Sequence, residues 1–184
     1  MKKILSYLIL CIVTPQLNCQ ISDPISESFG NYNAKNSYYF EILGNAFLYS
    51  VNFDRIVYEK EKFKIASRIG ITYMPYWEGL TEVKGPGIPL ELNFLFGKRS
   101  NLLELGLGAT YFYFTEPYWD RKKYHFLMEN LRFGYRHQKE EGGFLFRIAI
   151  VPISTFQIDP EFDDDGWIIP YYAGISIGFT PKIK

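Results

Sequence analysis

The stretch LLELGLGATYFYF, residues 102–114, decides the fold class. Its odd-numbered positions are apolar or aromatic throughout, and its even-numbered positions from 104 to 110 hold glutamate, glycine, glycine and threonine. Because side chains alternate across a strand, this pattern predicts a β-strand with one apolar face and one polar or small face. A soluble protein packs such an apolar face in its core, whereas a membrane barrel turns it toward lipid and keeps the polar face inside.

Seven further segments show the same alternation, and with residues 102–114 they account for most of the chain after residue 37. In each segment one set of alternate positions is rich in Ile, Leu, Val, Phe and Tyr, and the other set carries polar, charged or small side chains. Strands that follow one another with little between them favour an antiparallel all-β fold. The seven segments are residues 38–43, 46–58, 63–74, 88–96, 127–136, 144–153 and 169–179.

The phase of the alternation changes at Gly44 and Asn45. Apolar side chains occupy even positions before this point and odd positions after it. A flat strand cannot exchange its faces, so the chain either has a β-bulge here or turns in a two-residue hairpin. The hairpin gives eight strands and the bulge gives seven, and bacterial single-chain barrels have even strand numbers. The sequence therefore predicts an antiparallel, up-and-down transmembrane β-barrel of eight strands.

The connections between these segments alternate in length. Short periplasmic turns and longer outer loops are typical of outer-membrane barrels. The short polar turns fall at residues 59–62, 98–101 and 137–143, and the longer connections at residues 75–87, 115–124 and 154–167.

Aromatic side chains gather at both ends of the predicted strands. Aromatic residues make up 18% of the chain, and their amphipathic rings are enriched at membrane–water interfaces. A soluble sheet with aromatic edges is the alternative explanation. The predicted aromatic girdle consists of Tyr73, Trp77, Tyr111, Tyr113, Trp119, Trp167, Tyr171, Phe96, Tyr135 and Phe179.

The N-terminus has the pattern of a secretory signal peptide. Lys2 and Lys3 precede an apolar run over residues 4–13 that is too short to span a bilayer as a helix. We predict a signal peptide at residues 1–19, a disordered periplasmic leader at 20–37 and the outer-membrane barrel at 38–184. Cleavage before Gln20 removes both cysteines of the chain, which excludes disulfides and thiol chemistry; lipidation of Cys19 is the alternative.

The polar faces of the strands carry four acids and four arginines. An eight-stranded barrel has an interior that side chains can fill, so charges facing it would have to pair. We predict a lumen plugged by ion pairs and without a wide pore. The alternative is that some arginines lie at strand ends in solvent. The predicted lumen charge cluster consists of Glu41, Asp54, Glu91, Glu104, Arg68, Arg132, Arg136 and Arg147.

The last predicted strand carries a pattern that resembles a known assembly signal. Tyr172, Gly174, Ile177 and Phe179 resemble the C-terminal signal by which outer-membrane barrels are recognised for assembly, although the residues TPKIK follow Phe179 here. The chain from 38 to 179 resembles small eight-stranded outer-membrane barrels of the outer-membrane protein A and X type. That resemblance implies a monomer in the cell outer membrane, with outer-membrane lipid and the barrel-assembly machinery as partners.

Few features favour other functions. The formal charge is zero, which argues against a nucleic-acid partner. The acidic run at residues 161–166 resembles the start of a calcium loop but has Tyr172 at the twelfth position, so we predict no metal and no cofactor. No spacing links His125, His137 or Ser154 into a catalytic group, so we predict no enzyme. The alternatives are a soluble, exported lipocalin-like barrel that binds an apolar ligand, and a lipid-modifying barrel enzyme.

Overall fold

The computed structural model describes residues 33–76, 83–115, 123–157 and 168–182. In these residues eight antiparallel strands close into a barrel, because each pairs with the next along the chain and β8 pairs with β1. The predicted all-β, eight-stranded barrel is thus confirmed. The strands are β1 Asn36–Leu43, β2 Tyr49–Lys60, β3 Phe63–Met74, β4 Gly85–Lys98, β5 Asn101–Thr115, β6 Lys123–Gln138, β7 in the segments Gly143–Ile150 and Ile153–Gln157, and β8 in the segments Ile168–Ile169 and Ala173–Thr180.

Strand β7 is one strand with an interruption at Val151 and Pro152. Proline has no backbone N–H to donate to a neighbouring strand. Both segments nevertheless pair with β6, and the carbonyl of Pro152 still accepts from the N–H of Leu131 at 3.1 Å. The interruption therefore does not open the barrel wall.

β1 and β2 are separate strands joined by a turn, as the hairpin interpretation predicted, and not one bulged strand. The turn is longer than the predicted two residues. Residues Gly44–Ala46 form a short 3-10 turn, and the N–H of Leu43 donates to the carbonyl of Leu48 at 2.7 Å. Leu43 and Phe47 have φ angles of 62° and 69°, in the left-handed region that costs a non-glycine residue free energy. This turn, which we call the inner turn, is buried inside the barrel.

The two faces of the wall have opposite character. On β5, Leu103 and Leu107 face outward and are 57% and 60% exposed, whereas Leu102 and Glu104 face inward and are 1% and 0% exposed. The interior has apolar clusters near both ends. The cluster near the three longer connections, at the long-loop end, contains Met74, Phe112, Phe114, Met128, Ala149, Val151 and Ile153, and the cluster at the short-turn end contains Ile56, Ala66, Leu95 and Leu102.

Among the described residues, no helix is long and apolar enough to cross a membrane. The predicted signal peptide and most of the predicted leader lie outside the described residues.

The pair of strands that closes the barrel leaves no room for a side chain at Gly178. A Cβ atom there would lie 2.1 Å from the carbonyl oxygen of Tyr38 and 2.4 Å from the Cβ of Tyr39. We predict that Gly178→Ala lowers the free energy of unfolding by about 1–3 kcal/mol, the usual range for overpacking. Urea unfolding of the purified barrel measures the change. The outward-facing Ile177→Val is the control, and equal stability of the two variants would contradict the prediction.

Candidate functional site: the buried charge layer

All eight side chains of the predicted lumen charge cluster lie inside the barrel, and none is more than 4% exposed. They come from seven of the eight strands and lie between the two apolar clusters. Their inward orientation follows from strand alternation, because each occupies the face opposite the exposed apolar side chains. We call this set the charge layer; it consists of Glu41, Asp54, Glu91, Glu104, Arg68, Arg132, Arg136 and Arg147.

The centre of the charge layer is a ring of two carboxylates and two guanidinium groups. Arg68 contacts Glu41 through Nη2 at 2.5 Å and Glu91 through Nη1 at 3.2 Å. Arg132 contacts the same two carboxylates, Glu41 through Nη2 at 2.7 Å and Glu91 through Nε at 2.9 Å. Since Glu41 is on β1 and Arg132 is on β6, which are not neighbours in the sheet, these contacts cross the lumen.

A third guanidinium joins this ring to β5 and β7. Arg147 binds both carboxylate oxygens of Glu104, with distances of 3.0 Å from Nε and 2.7 Å from Nη2. It also donates to the hydroxyl of Tyr39 and lies 3.4 Å from Glu91. The sequence leaves Arg68, Arg132 and Arg147 as candidate partners of Glu104, and the structure pairs Glu104 with Arg147.

The remaining pair lies toward the short-turn end. Arg136 binds both carboxylate oxygens of Asp54, at 2.5 and 2.8 Å, and its Nε donates to Oε1 of Gln138 at 2.8 Å. Bidentate arginine–carboxylate contacts are among the strongest polar contacts in proteins. Arg136 also lies 3.8 Å from Glu104, so this pair joins the rest of the layer.

The inner turn contributes a residue that the sequence does not identify as part of the site. The side chain of Asn45 accepts from Arg68 at 2.8 Å and donates to Glu91 at 3.2 Å. Its carbonyl accepts from the hydroxyl of Thr110 at 2.5 Å. Asn45 therefore forms hydrogen bonds from the inner turn to residues of three different strands, β3, β4 and β5. An Asn after a glycine predicts a turn, but no local signal indicates that the turn folds inward.

Smaller polar side chains also bind the ring, among them Ser176 and Asn52. Ser176 on β8 donates to Glu41 at 3.1 Å, so the one strand that supplies no member of the charge layer also contacts it. Asn52 accepts from Nε of Arg68 at 3.0 Å. Asn52 thus gives Nε of Arg68 an acceptor that the ion pairs do not supply, and Ser176 adds a donor to an oxygen of Glu41 that also binds Arg132.

The described part of the predicted aromatic girdle lies on or near the outer wall at two levels. Tyr73, Tyr111, Tyr113 and Tyr171 lie toward the long-loop end, and Phe96, Tyr135 and Phe179 lie toward the short-turn end. All of these except the half-buried Tyr113 are at least 38% exposed. Trp77, Trp119 and Trp167 lie outside the described residues.

The four residues of the predicted assembly signal divide between the two faces of the last strand. Ile177 and Phe179 face outward and are each 56% exposed. Tyr172 faces the inner turn, where its hydroxyl donates to the carbonyl of Phe47 at 2.5 Å and the two rings stack with centroids 5.4 Å apart. Gly174 is buried beside Gly44, and a Cβ there would lie 3.0 Å from the Gly44 Cα.

The residues considered for catalysis do not come together in the described part of the chain. His125 Nδ1 lies 2.5 Å from the hydroxyl of Tyr111, and His137 Nδ1 lies 3.0 Å from Oδ1 of Asn101. Ser154 pairs in register with Glu129 rather than with either histidine. Residues 33–76, 83–115, 123–157 and 168–182 contain no group of three metal-ligating side chains. The acidic run at 161–166 lies outside these residues.

Comparisons with known proteins return no match to a family model, to a curated protein sequence or to a solved structure.

The bidentate pair of Asp54 and Arg136 gives a direct test of the energetics of the layer. We predict that Asp54→Asn and Arg136→Gln each lower the free energy of unfolding by about 3–5 kcal/mol, because each leaves an unpaired buried charge. The double variant should lose less than the sum of the two, since it removes both charges together. Urea unfolding measures all three, and the exposed turn variant Glu61→Gln is the control. Additive losses would contradict the predicted coupling.

Proposed function

We propose that this protein is an integral outer-membrane β-barrel with a structural or surface-interaction role, whose lumen is closed by the charge layer. The observation that carries the proposal is the inverted distribution of polarity, with charges at the centre of the interior and large apolar side chains on the outer wall. A soluble barrel has the opposite arrangement, because water favours charges outside and apolar groups inside.

Every strand contributes to the apolar outer wall. The apolar surface therefore extends around the whole barrel, whereas a binding patch would cover only part of it. The largest exposed apolar patch of a typical soluble monomer covers a few hundred Å². Here large apolar side chains are at least 38% exposed on all eight strands. Representative residues are Phe40, Val51, Ile71, Leu90, Leu107, Phe133, Ile150 and Ile177.

The height of this wall fits a lipid bilayer. On β5 the outward positions from Leu103 to Tyr113 are apolar or aromatic. Ten residues of a strand extend about 33 Å, and at the tilt of about 40° usual for barrels they cover a height of roughly 25 Å, the height of the apolar band of outer-membrane barrels. The rings of the girdle lie near both edges of this band, where amphipathic side chains favour the interface.

The proposal also agrees with two further predictions from the sequence, the signal peptide and the assembly signal. A signal peptide at residues 1–19 would export the chain, and the Tyr172 to Phe179 pattern would direct its assembly by the barrel-assembly machinery. A soluble lipocalin-like barrel would need space for an apolar ligand in the middle of its interior. The ring of Glu41, Glu91, Arg68 and Arg132 occupies that position, which favours the membrane protein.

The position of Leu107 in the middle of the band provides a test of membrane insertion. We predict that Leu107→Arg reduces the fraction of protein that folds into lipid vesicles, because arginine near the bilayer midplane costs a membrane barrel about 2–4 kcal/mol. The apolar variant Leu107→Phe is the control and should insert like the unchanged protein. Heat-modifiable gel migration and co-flotation with vesicles measure insertion. Full recovery of the unchanged protein in the aqueous fraction would contradict the proposal.

The charge layer predicts the permeability of the barrel. Its ion pairs cross the lumen between strands that are not neighbours, and an eight-stranded barrel has no room for a wide channel beside them. We predict that vesicles containing the protein show no conductance like that of a porin. A planar-bilayer recording, with a wide porin as positive control, measures this, and porin-like conductance would show that the lumen is open.

A further inference from the structure

The outer faces of β4, β5 and β6 follow the same chemical order toward the long-loop end. Apart from Glu129 on β6, the outward side chains nearer the middle of the wall are aliphatic. The positions that follow hold a proline on β4, two tyrosines on β5 and a histidine on β6, and the final positions hold a lysine or a threonine. β5 pairs with β4 on one side and with β6 on the other, so these positions form rows across the wall. The outward positions in this order are Leu90, Ile88, Pro86 and Lys84 on or next to β4, Leu107, Ala109, Tyr111, Tyr113 and Thr115 on β5, and Leu131, Glu129, Leu127, His125 and Lys123 on β6.

The last row consists of Lys84, Thr115 and Lys123. The N–H of Lys84 donates to the Thr115 carbonyl at 3.1 Å and the Thr115 N–H donates back at 2.8 Å, while Thr115 pairs with Lys123 on its other side. Both lysines are exposed. Neighbouring strands lie about 4.8 Å apart, so the two lysine Cα atoms are separated by roughly 10 Å with the threonine between them.

The row directly below is aromatic. The rings of Tyr113 and His125 lie 5.4 Å apart, and Pro86 pairs with Tyr73 on β3. Tyrosine rings favour the headgroup level of a membrane. In the proposed membrane location, the two lysines would therefore lie at the level of the lipid phosphate groups. Glu129, an acid on the outer face of β6, lies below the aromatic row, between Leu127 and Leu131.

We propose that Lys84, Thr115 and Lys123 bind the phosphate group of an anionic lipid in the leaflet next to the long-loop end. This inference rests on the proposed membrane location and adds a specific lipid contact to it. Two flexible ammonium groups can approach one phosphate from both sides, and the threonine hydroxyl between them can donate a hydrogen bond to it. The acyl chains of the same lipid would lie along the aliphatic positions beneath, such as Ile88 and Leu107, which are 47% and 60% exposed.

The test compares lipids retained by the full chain. Protein purified in a neutral detergent is mixed with equal amounts of phosphatidic acid and phosphatidylcholine, and native mass spectrometry measures the bound lipids. We expect a preference for phosphatidic acid that falls about tenfold or more in the double variant Lys84→Ala/Lys123→Ala, because each lysine near a phosphate surface contributes to binding. The variant Lys84→Arg/Lys123→Arg should keep the preference, since both charges remain.

The matched control is Lys60→Ala/Lys62→Ala, which removes two exposed lysines at the short-turn end. It should keep the preference for phosphatidic acid. Equal retention of both lipids by the unchanged protein, or equal losses in the two double alanine variants, would overturn the inference. Flotation of the same samples with vesicles separates this result from the proposed function. Protein that floats without preferring phosphatidic acid contradicts only the lipid site, and protein that does not float contradicts the membrane location.

Discussion

The ion pairs of the charge layer are the interaction on which the rest of the barrel depends. Burying a charge without a partner costs several kcal/mol, so each guanidinium must meet a carboxylate and each leftover polar atom needs a hydrogen bond. Because Glu41 binds both Arg68 and Arg132, correct pairing requires β1, β3 and β6 to be in register around the whole ring. The layer thus ties closure of the barrel to the positions of individual side chains.

Small residues make space for these large side chains. A Cβ atom at Gly106 would lie 2.9 Å from Cβ of Arg132 and 2.5 Å from Oδ1 of Asn93. At Gly134 it would lie 2.6 Å from Cβ of Ala149. Glycine within a strand ordinarily weakens it, but here its missing side chain lets arginines and their partners pack at the centre of a narrow barrel. Apart from the two interior apolar clusters, the large apolar side chains of the strands lie on the outer wall, and this feature supports a membrane location.

Much of this fold follows from alternation along the strands. The period of two identifies the strands and separates the eight inward charges from the apolar outer positions, because a residue and its second neighbour always share a face. The partner of Glu104 does not follow, since Arg68, Arg132 and Arg147 carry the same side chain and all face inward, and only their positions in three dimensions place Arg147 against Glu104. The alternation also does not predict the position of the inner turn. Gly44 and Asn45 predict a turn, but its location inside the barrel depends on contacts of Asn45 with three distant strands.

The central claim is that the outer wall contacts lipid while the charges lie inside, and spin-label accessibility tests it most directly. A single cysteine replaces Leu107 in a chain whose Cys11 and Cys19 are changed to serine, and a second variant carries the cysteine at the exposed turn residue Glu61. In lipid vesicles we predict that the label at 107 collides with dissolved oxygen and is protected from a water-soluble nickel complex, whereas the label at 61 shows the reverse. Equal access of the nickel complex to both positions would contradict the account.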